Sequence, residues 1–190
     1  MKTIVDFFGS NTAQKIVDSG IRAKLLIAFN VLPHVPDLND FILGMKKIMD
    51  KNGVIVVQFS AYLLDVIQKC EFDMVYHEHF SYFSLFTLKK IFESVNLEIF
   101  DAEKISVHGG SLRLFIKSKD NLELKIEERV KKLLEEEEEF GLQKISTYLE
   151  FQKNVEKSKK NIQEFFTNSK KQGKKIVCYG AAAKGNTVLN

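Results

Sequence analysis

The sequence predicts an α/β protein: a partial doubly wound, Rossmann-like sheet, then a long helical segment, then the start of a second α/β unit. Three observations predict it. Residues 24–29 (KLLIAF) and 54–59 (VIVVQF) are continuous apolar runs, as expected for strands covered on both faces. An amphipathic stretch lies between them, so strand, helix and strand follow in a βαβ unit of a mostly parallel sheet. Residues 124–171 are charged and helical in pattern, and a last apolar run at 174–179 leads into Gly180.

The elements follow in order. Residues 3–8 (TIVDFF) read as a short strand. Ala13, Ile16 and Val17 sit at helical spacing, and Gly20 ends that helix. Pro33 and Pro36 bracket a loop. Asp37 is placed to cap a helix with the stripe Leu38, Phe41, Ile42, Met45 and Ile48, which Asn52-Gly53 closes. Helices are expected over 62–69 and 88–94, and strands over 97–100 and 111–116. His108-Gly109-Gly110 reads as a tight turn before the second of these strands. The five consecutive glutamates at 135–139 read as a solvated helix face, with a break near Gly141. The expected organisation is a partial methyltransferase-type sheet over 1–120, a helical connector over 121–172 and a new unit from 173.

Composition excludes several classes. The 190 residues are 45% hydrophobic and 28% charged, which describes a folded chain able to bury a core. A net charge of +3 is too small to argue for nucleic acid. Cys70 and Cys178 alone give no disulfide framework and no CxxC zinc site, so a reducing cytoplasm is the expectation. No apolar run approaches the roughly 20 residues of a membrane helix, and the first residues lack a signal peptide's pattern.

Four constellations can carry chemistry. Tyr76-His77-Glu78-His79, with Phe80-Ser81-Tyr82 behind it, is the densest. Imidazoles titrate near neutral pH and can abstract a proton, and a neighbouring Glu can orient one. In an extended segment His77 and His79 would share a face, which opens a metal-binding alternative that needs a distant third ligand. Polar tips satisfied at a sheet edge are the plain alternative. Asn30 and His34 stand at the carboxyl end of the KLLIAF strand, where ligands of open α/β sheets sit, though both are ordinary turn residues. His108-Gly109-Gly110 followed by Arg113 can form a phosphate clamp or an ordinary hairpin. Gly180, Lys184, Gly185 and Asn186 can face a phosphate after a strand, but not with Walker A spacing. A G-x-G-x-x-G fingerprint is absent.

The order NVLPHVPDLNDF, GVIVVQF, FDMVYHEHFSYFSL, HGGSLRLF and YGAAAKGNTVLN resembles the sugar C-methyltransferases, which use S-adenosylmethionine to methylate a ring carbon of a nucleotide-linked keto-sugar. The resemblance spans nearly the whole chain. It implies that His79 is the base, with Glu78 and Tyr76 as its polar neighbours and Asn30 and His34 near the sugar and its developing enolate. It implies substrate contacts from His108, Arg113, Lys184 and Asn186. By this comparison the chain starts inside the family's central domain, without its zinc-binding domain or the glycine loop that grips S-adenosylmethionine. Weak cofactor binding by the chain alone is then expected, unless a separate chain supplies the missing half. A catalytically inactive remnant or interaction module is the competing expectation. Gln58 stands where the family usually has Glu, and Ala182 where its glycine turn usually has Pro.

Overall fold

The computed structural model describes residues 3–177, 179, 180 and 183–189. Cys178 and the Ala181-Ala182 portion of the glycine-bearing turn lie outside the described residues.

One four-stranded sheet organises the molecule, in the order β1 (Ala23–Phe29), β2 (Met49–Ser60), β4 (Ser111–Ser118), β3 (Leu97–Ile105). β1 and β2 pair in parallel, with Leu26 beside Ile55 and Phe29 beside Gln58. β4 runs antiparallel to both β2 and β3, so three strands point one way and β4 against them. Helix α2 (Leu38–Ile48) makes the crossover between β1 and β2. The Asp37 side chain starts it, accepting the Asp40 N–H at 3.0 Å. The helix stops at Ile48 rather than at Asn52-Gly53, because residues 49–53 already belong to β2. Gly53 answers a different need: a Cβ there would lie 2.6 Å from the Ala23 carbonyl oxygen across the β1–β2 ladder.

Strand periodicity puts Ala28, Ile55, Val57, Phe59, Leu112, Leu114 and Ile116 on one face. Helix α2, helix α4 (Leu85–Glu93) and helix α5 (Glu128–Phe140) cover that face with Phe41, Leu88, Phe92 and Leu133. The first helix of the expected connector therefore belongs to the core. Gly141 ends α5, and α6 (Ile145–Lys171) runs on largely exposed. Helix α1 (Ser10–Asp18) packs on α2, helix α3 (Leu63–Gln68) follows β2, and α7 (Ala183–Leu189) reaches back to the short turn at Phe72–Met74. Among the described residues no helix is long and apolar enough to cross a membrane.

Three sequence expectations change. Residues 3–8 form no strand: the Phe7 carbonyl accepts the Thr12 hydroxyl, and Val5 and Phe7 stay exposed. The described residues of 174–179 form none either, and Val177 and Tyr179 are exposed. Among the described residues neither segment has a strand beside it, and apolar content without a ladder leaves backbone groups nothing to pair with. β1 is covered on one face only, its outward Leu25 and Ile27 being more than half exposed.

This asymmetry has a measurable consequence. Phe59→Ala, on the covered face, should cost about 3–5 kcal/mol, whereas Ile27→Thr, on the open face, should cost under about 1 kcal/mol. Urea unfolding of the two variants measures both.

Candidate active site

Two loops meet at the carboxyl ends of β1 and β2. Phe80 and Ser81 both donate their N–H to the Pro33 carbonyl, at 2.8 and 3.3 Å. His34 Nδ1 lies 2.8 Å from the Glu78 carbonyl. A carbonyl only accepts, so His34 donates from Nδ1. Residues 76–79 form a turn, closed by the His79 N–H on the Tyr76 carbonyl at 3.1 Å. The extended geometry that would place His77 and His79 on one face is therefore not adopted: the His77 side chain is exposed and His79 is buried. Among the described residues, no three His, Cys, Asp or Glu side chains are grouped to hold a metal ion.

His79 is boxed by rings. Its centroid lies 4.4 Å from Tyr76, 5.0 Å from His34 and 5.7 Å from Tyr82. Its Nδ1 stands 3.0 Å from the Met74 carbonyl, so Nδ1 carries the proton of the neutral ring and donates it to that oxygen. The lone pair is thereby on Nε2, which is buried and has no hydrogen-bond partner. An orphaned buried acceptor is costly and uncommon. Burial holds the His79 pKa below the ordinary imidazole value; His34 and Lys184 add to that, while the Met74 bond and Glu78 oppose it. Burial pushes the Tyr76 and Tyr82 phenols up, with Glu78 adding to the effect on Tyr76. The site thus holds a neutral ring with a free lone pair, flanked by two protonated phenols.

The other expected residues divide. Glu78 contributes its backbone carbonyl to His34, while its carboxylate faces the exposed His77 at 4.0 Å. It does not orient the His79 ring; Met74 does. Asn30, exposed and at φ 53°, ends β1 and donates its N–H to the Gln58 carbonyl at 2.7 Å. Lys184 on α7 is close enough to act electrostatically on His79 and on Glu71, and Asn186 is exposed on the same helix. His108 is exposed in the turn at Val107–Gly109, with φ 58°. The glycines beside it admit an internal contact: Lys69 Nζ donates to the Gly109 carbonyl at 2.9 Å, and a Cβ on Gly110 would lie 2.5 Å from Asp65 Oδ2. Arg113 is committed elsewhere. Its Nε and Nη2 donate to Gln58 Oε1 at 3.1 and 2.8 Å, and its Nη1 to Glu103 Oε1 at 2.8 Å. A phosphate clamp would have to break those bonds.

Sequence reading missed three contributors. The Met74 carbonyl carries no signal in side-chain identity. Tyr82, whose hydroxyl donates to the same carbonyl at 3.2 Å, stood in the dense segment without an assigned role. Glu71 faces the Gly109 turn and feels Lys184; a lone Glu gives no pattern to find it by. A separate apolar groove of about 340 Å³ between α6 and α7, lined by Phe72, Ile162, Phe166 and Val188, contains none of the boxed rings.

Comparison with known proteins adds to this geometry. Residues 3–102 match the family of methyltransferase domains, and residues 106–190 match the C-methyltransferase C-terminal domain. The chain is 30% identical over 189 residues to the C-methyltransferase NovU of Streptomyces niveus, covering 100% of this chain and 44% of that protein. The chain thus spans less than half the length of that curated relative. Among solved structures, magnesium protoporphyrin IX methyltransferase (ChlM) from Synechocystis PCC 6803 with bound SAH aligns at 18% identity and TM-score 0.40, over 52% of this chain and 47% of that one. The M1.HpyAVI–SAM complex aligns at 12% identity and TM-score 0.38, over 66% and 62% of the two chains.

The buried neutral imidazole makes stability depend on pH. The unfolded chain takes up a proton at the ordinary value of 6.5, and folded His79 resists protonation until lower pH. This contribution is therefore full above about pH 6.5 and is lost as pH falls through the lowered folded value. His79→Gln should flatten the pH dependence of the urea midpoint in that window.

Proposed function

The chain belongs to the family of methyltransferase domains, and from that membership we propose that it carries the base of a sugar C-methyltransferase. The substrate class is a nucleotide-linked keto-sugar, and the methyl group goes to a carbon next to the ketone. The observation that carries this reading is the His79 ring, with Nδ1 fixed on Met74 and a buried lone pair on Nε2.

A carbon beside a ketone is acidic because its anion delocalises onto the carbonyl oxygen. Nε2 takes that proton; the C–H electrons form the enolate C=C bond and the carbonyl π electrons move to oxygen. Nδ1 keeps its proton throughout, and the Met74 carbonyl stabilises the imidazolium that forms. The developing oxyanion needs a donor. Tyr76, its phenol kept protonated and its ring 4.4 Å from His79, supplies one. The His34 Nδ1 proton is already given to the Glu78 carbonyl. Lys184, close enough to act on His79, adds a positive charge that suits an enolate and the substrate's phosphates alike.

When bound, S-adenosylmethionine would supply the electrophilic methyl for that nucleophilic carbon and would leave as S-adenosylhomocysteine. In open α/β sheets such a group is met at the carboxyl ends of the parallel strands, here β1 and β2. There the exposed Phe29 ring and the exposed Asn30 offer an apolar surface and an amide, and these two residues would hold it.

The base can be tested without the methyl donor. In D2O, the chain with a nucleotide diphosphate keto-sugar should exchange the α-hydrogen of the sugar for deuterium, read by NMR. His79→Asn should slow this exchange by about 10²–10⁴-fold, and Tyr76→Phe by less. Exchange at the same rate in His79→Asn, with the fold intact, would remove His79 from the role.

A further inference from the structure

The glutamate run at 135–139 reads from sequence as a solvated face, and Glu135, Glu138 and Glu139 are exposed. Glu137 is not: it is 2% exposed. Its Oε1 accepts the Tyr62 hydroxyl at 2.7 Å and the Leu85 N–H at 2.5 Å, and its Oε2 accepts the Phe86 N–H at 2.9 Å. Leu85 and Phe86 open α4, whose other cap is the Ser84 hydroxyl accepting the Thr87 N–H at 3.1 Å. A carboxylate suits that position, since the first N–H groups of a helix lack intrahelical partners and carry positive potential.

The three donors come from two places with residues 63–84 between them. That stretch holds Met74, Tyr76, His79 and Tyr82. Its two ends already touch: the Leu63 N–H donates to the Phe83 carbonyl at 3.0 Å, and Tyr62 bridges Phe83. Phe83 follows Tyr82, whose hydroxyl shares the Met74 carbonyl with His79 Nδ1.

We propose that Glu137 is a positioning residue for the His79 site, closing the base of the 63–84 excursion by holding Tyr62 and the start of α4 together. It touches no reacting atom. It acts through Phe83 and Tyr82 on the carbonyl that fixes the His79 ring. The functional importance of this role rests on His79 being the base, but the structural coupling is measurable independently.

The experiment uses the full chain, labelled at histidine, with His79 read by NMR over a pH titration. The groups facing His79 are His34, Tyr76, Tyr82, Lys184 and Glu78, and all are left in place. Glu137→Gln puts an amide donor opposite one of the two backbone N–H groups. The ring should loosen and gain solvent, and because burial is the larger cause of its lowered pKa and the Met74 bond the smaller, opposing one, its titration should move up toward the ordinary imidazole value. Glu138→Gln, in the same run but exposed, should leave the titration where it was. A folded Glu137→Gln with unmoved His79 signals overturns the proposal, as does an equal movement in Glu138→Gln. Should Glu137→Gln fail to fold, Tyr62→Phe, which removes one of the three donors, decides by the same readout. A His79 signal that moves in Glu137→Gln, beside deuterium exchange that survives His79→Asn, would sink the base and leave the positioning role standing.

Discussion

A backbone carbonyl that can only accept decides what this site can do. Met74 offers its oxygen to His79 Nδ1, which forces the proton of the neutral ring onto that nitrogen and the lone pair onto Nε2. A carboxylate in that place would also fix the tautomer, but it would raise the ring's basicity and favour a charged imidazolium at rest. A neutral carbonyl orients without charging. Burial lowers the pKa and outweighs the rise from the Met74 bond, so the ring rests unprotonated, as the proposed base requires. Everything else in the site follows from holding Met74 still: the turn at Phe72–Met74, the Tyr82 hydroxyl on the same oxygen, and the two N–H groups tied to Pro33.

Much of the fold was legible in the sequence, for reasons specific to particular residues. The VIVVQF run and the Asp37 cap announce themselves because burial and capping select side-chain types directly. Residues 3–8 and 174–179 misled for the converse reason: strand-like composition says nothing about whether a neighbour is present to complete the ladder. KLLIAF reads as doubly buried, yet its outward side chains are left open in this chain. Sequence pattern registers what a strand is suited to, and the folded chain covers only one of its two faces.

The site was half legible. Tyr76, His79 and His34 lie together, a grouping implied by the family resemblance and not by residue type, because two loops cross-linked by backbone bonds pack their rings on one another. Glu78 and Arg113 did not follow their types. In extended backbone Glu78 would point away from both of its histidine neighbours; in the observed turn its carboxylate lies beside the exposed His77, and the carbonyl of Glu78 is what the site uses. An Arg after a glycine pair suits a phosphate, but Gln58 and Glu103 lie in register on both sides of Arg113 in the sheet and saturate it first. Register is a long-range property, and nothing local to the HGGSLR segment contains it.

The same reasoning explains why one glutamate in five departs from its neighbours. A helix face repeats every three to four residues, so a run of identical side chains must place at least one member toward the core when the helix packs on a sheet. On α5 the inward positions are Val130, Leu133 and Glu137, spaced at three and four residues. An apolar residue at 137 would satisfy the stripe and leave the Tyr62 hydroxyl and two helix-starting N–H groups without an acceptor. Two carboxylate oxygens serve three donors there, which offsets part of the desolvation of a buried acid, whose pKa burial still holds above the ordinary value. The composition of the run conceals this division, because charge is the same at every position and only the angle around the helix differs.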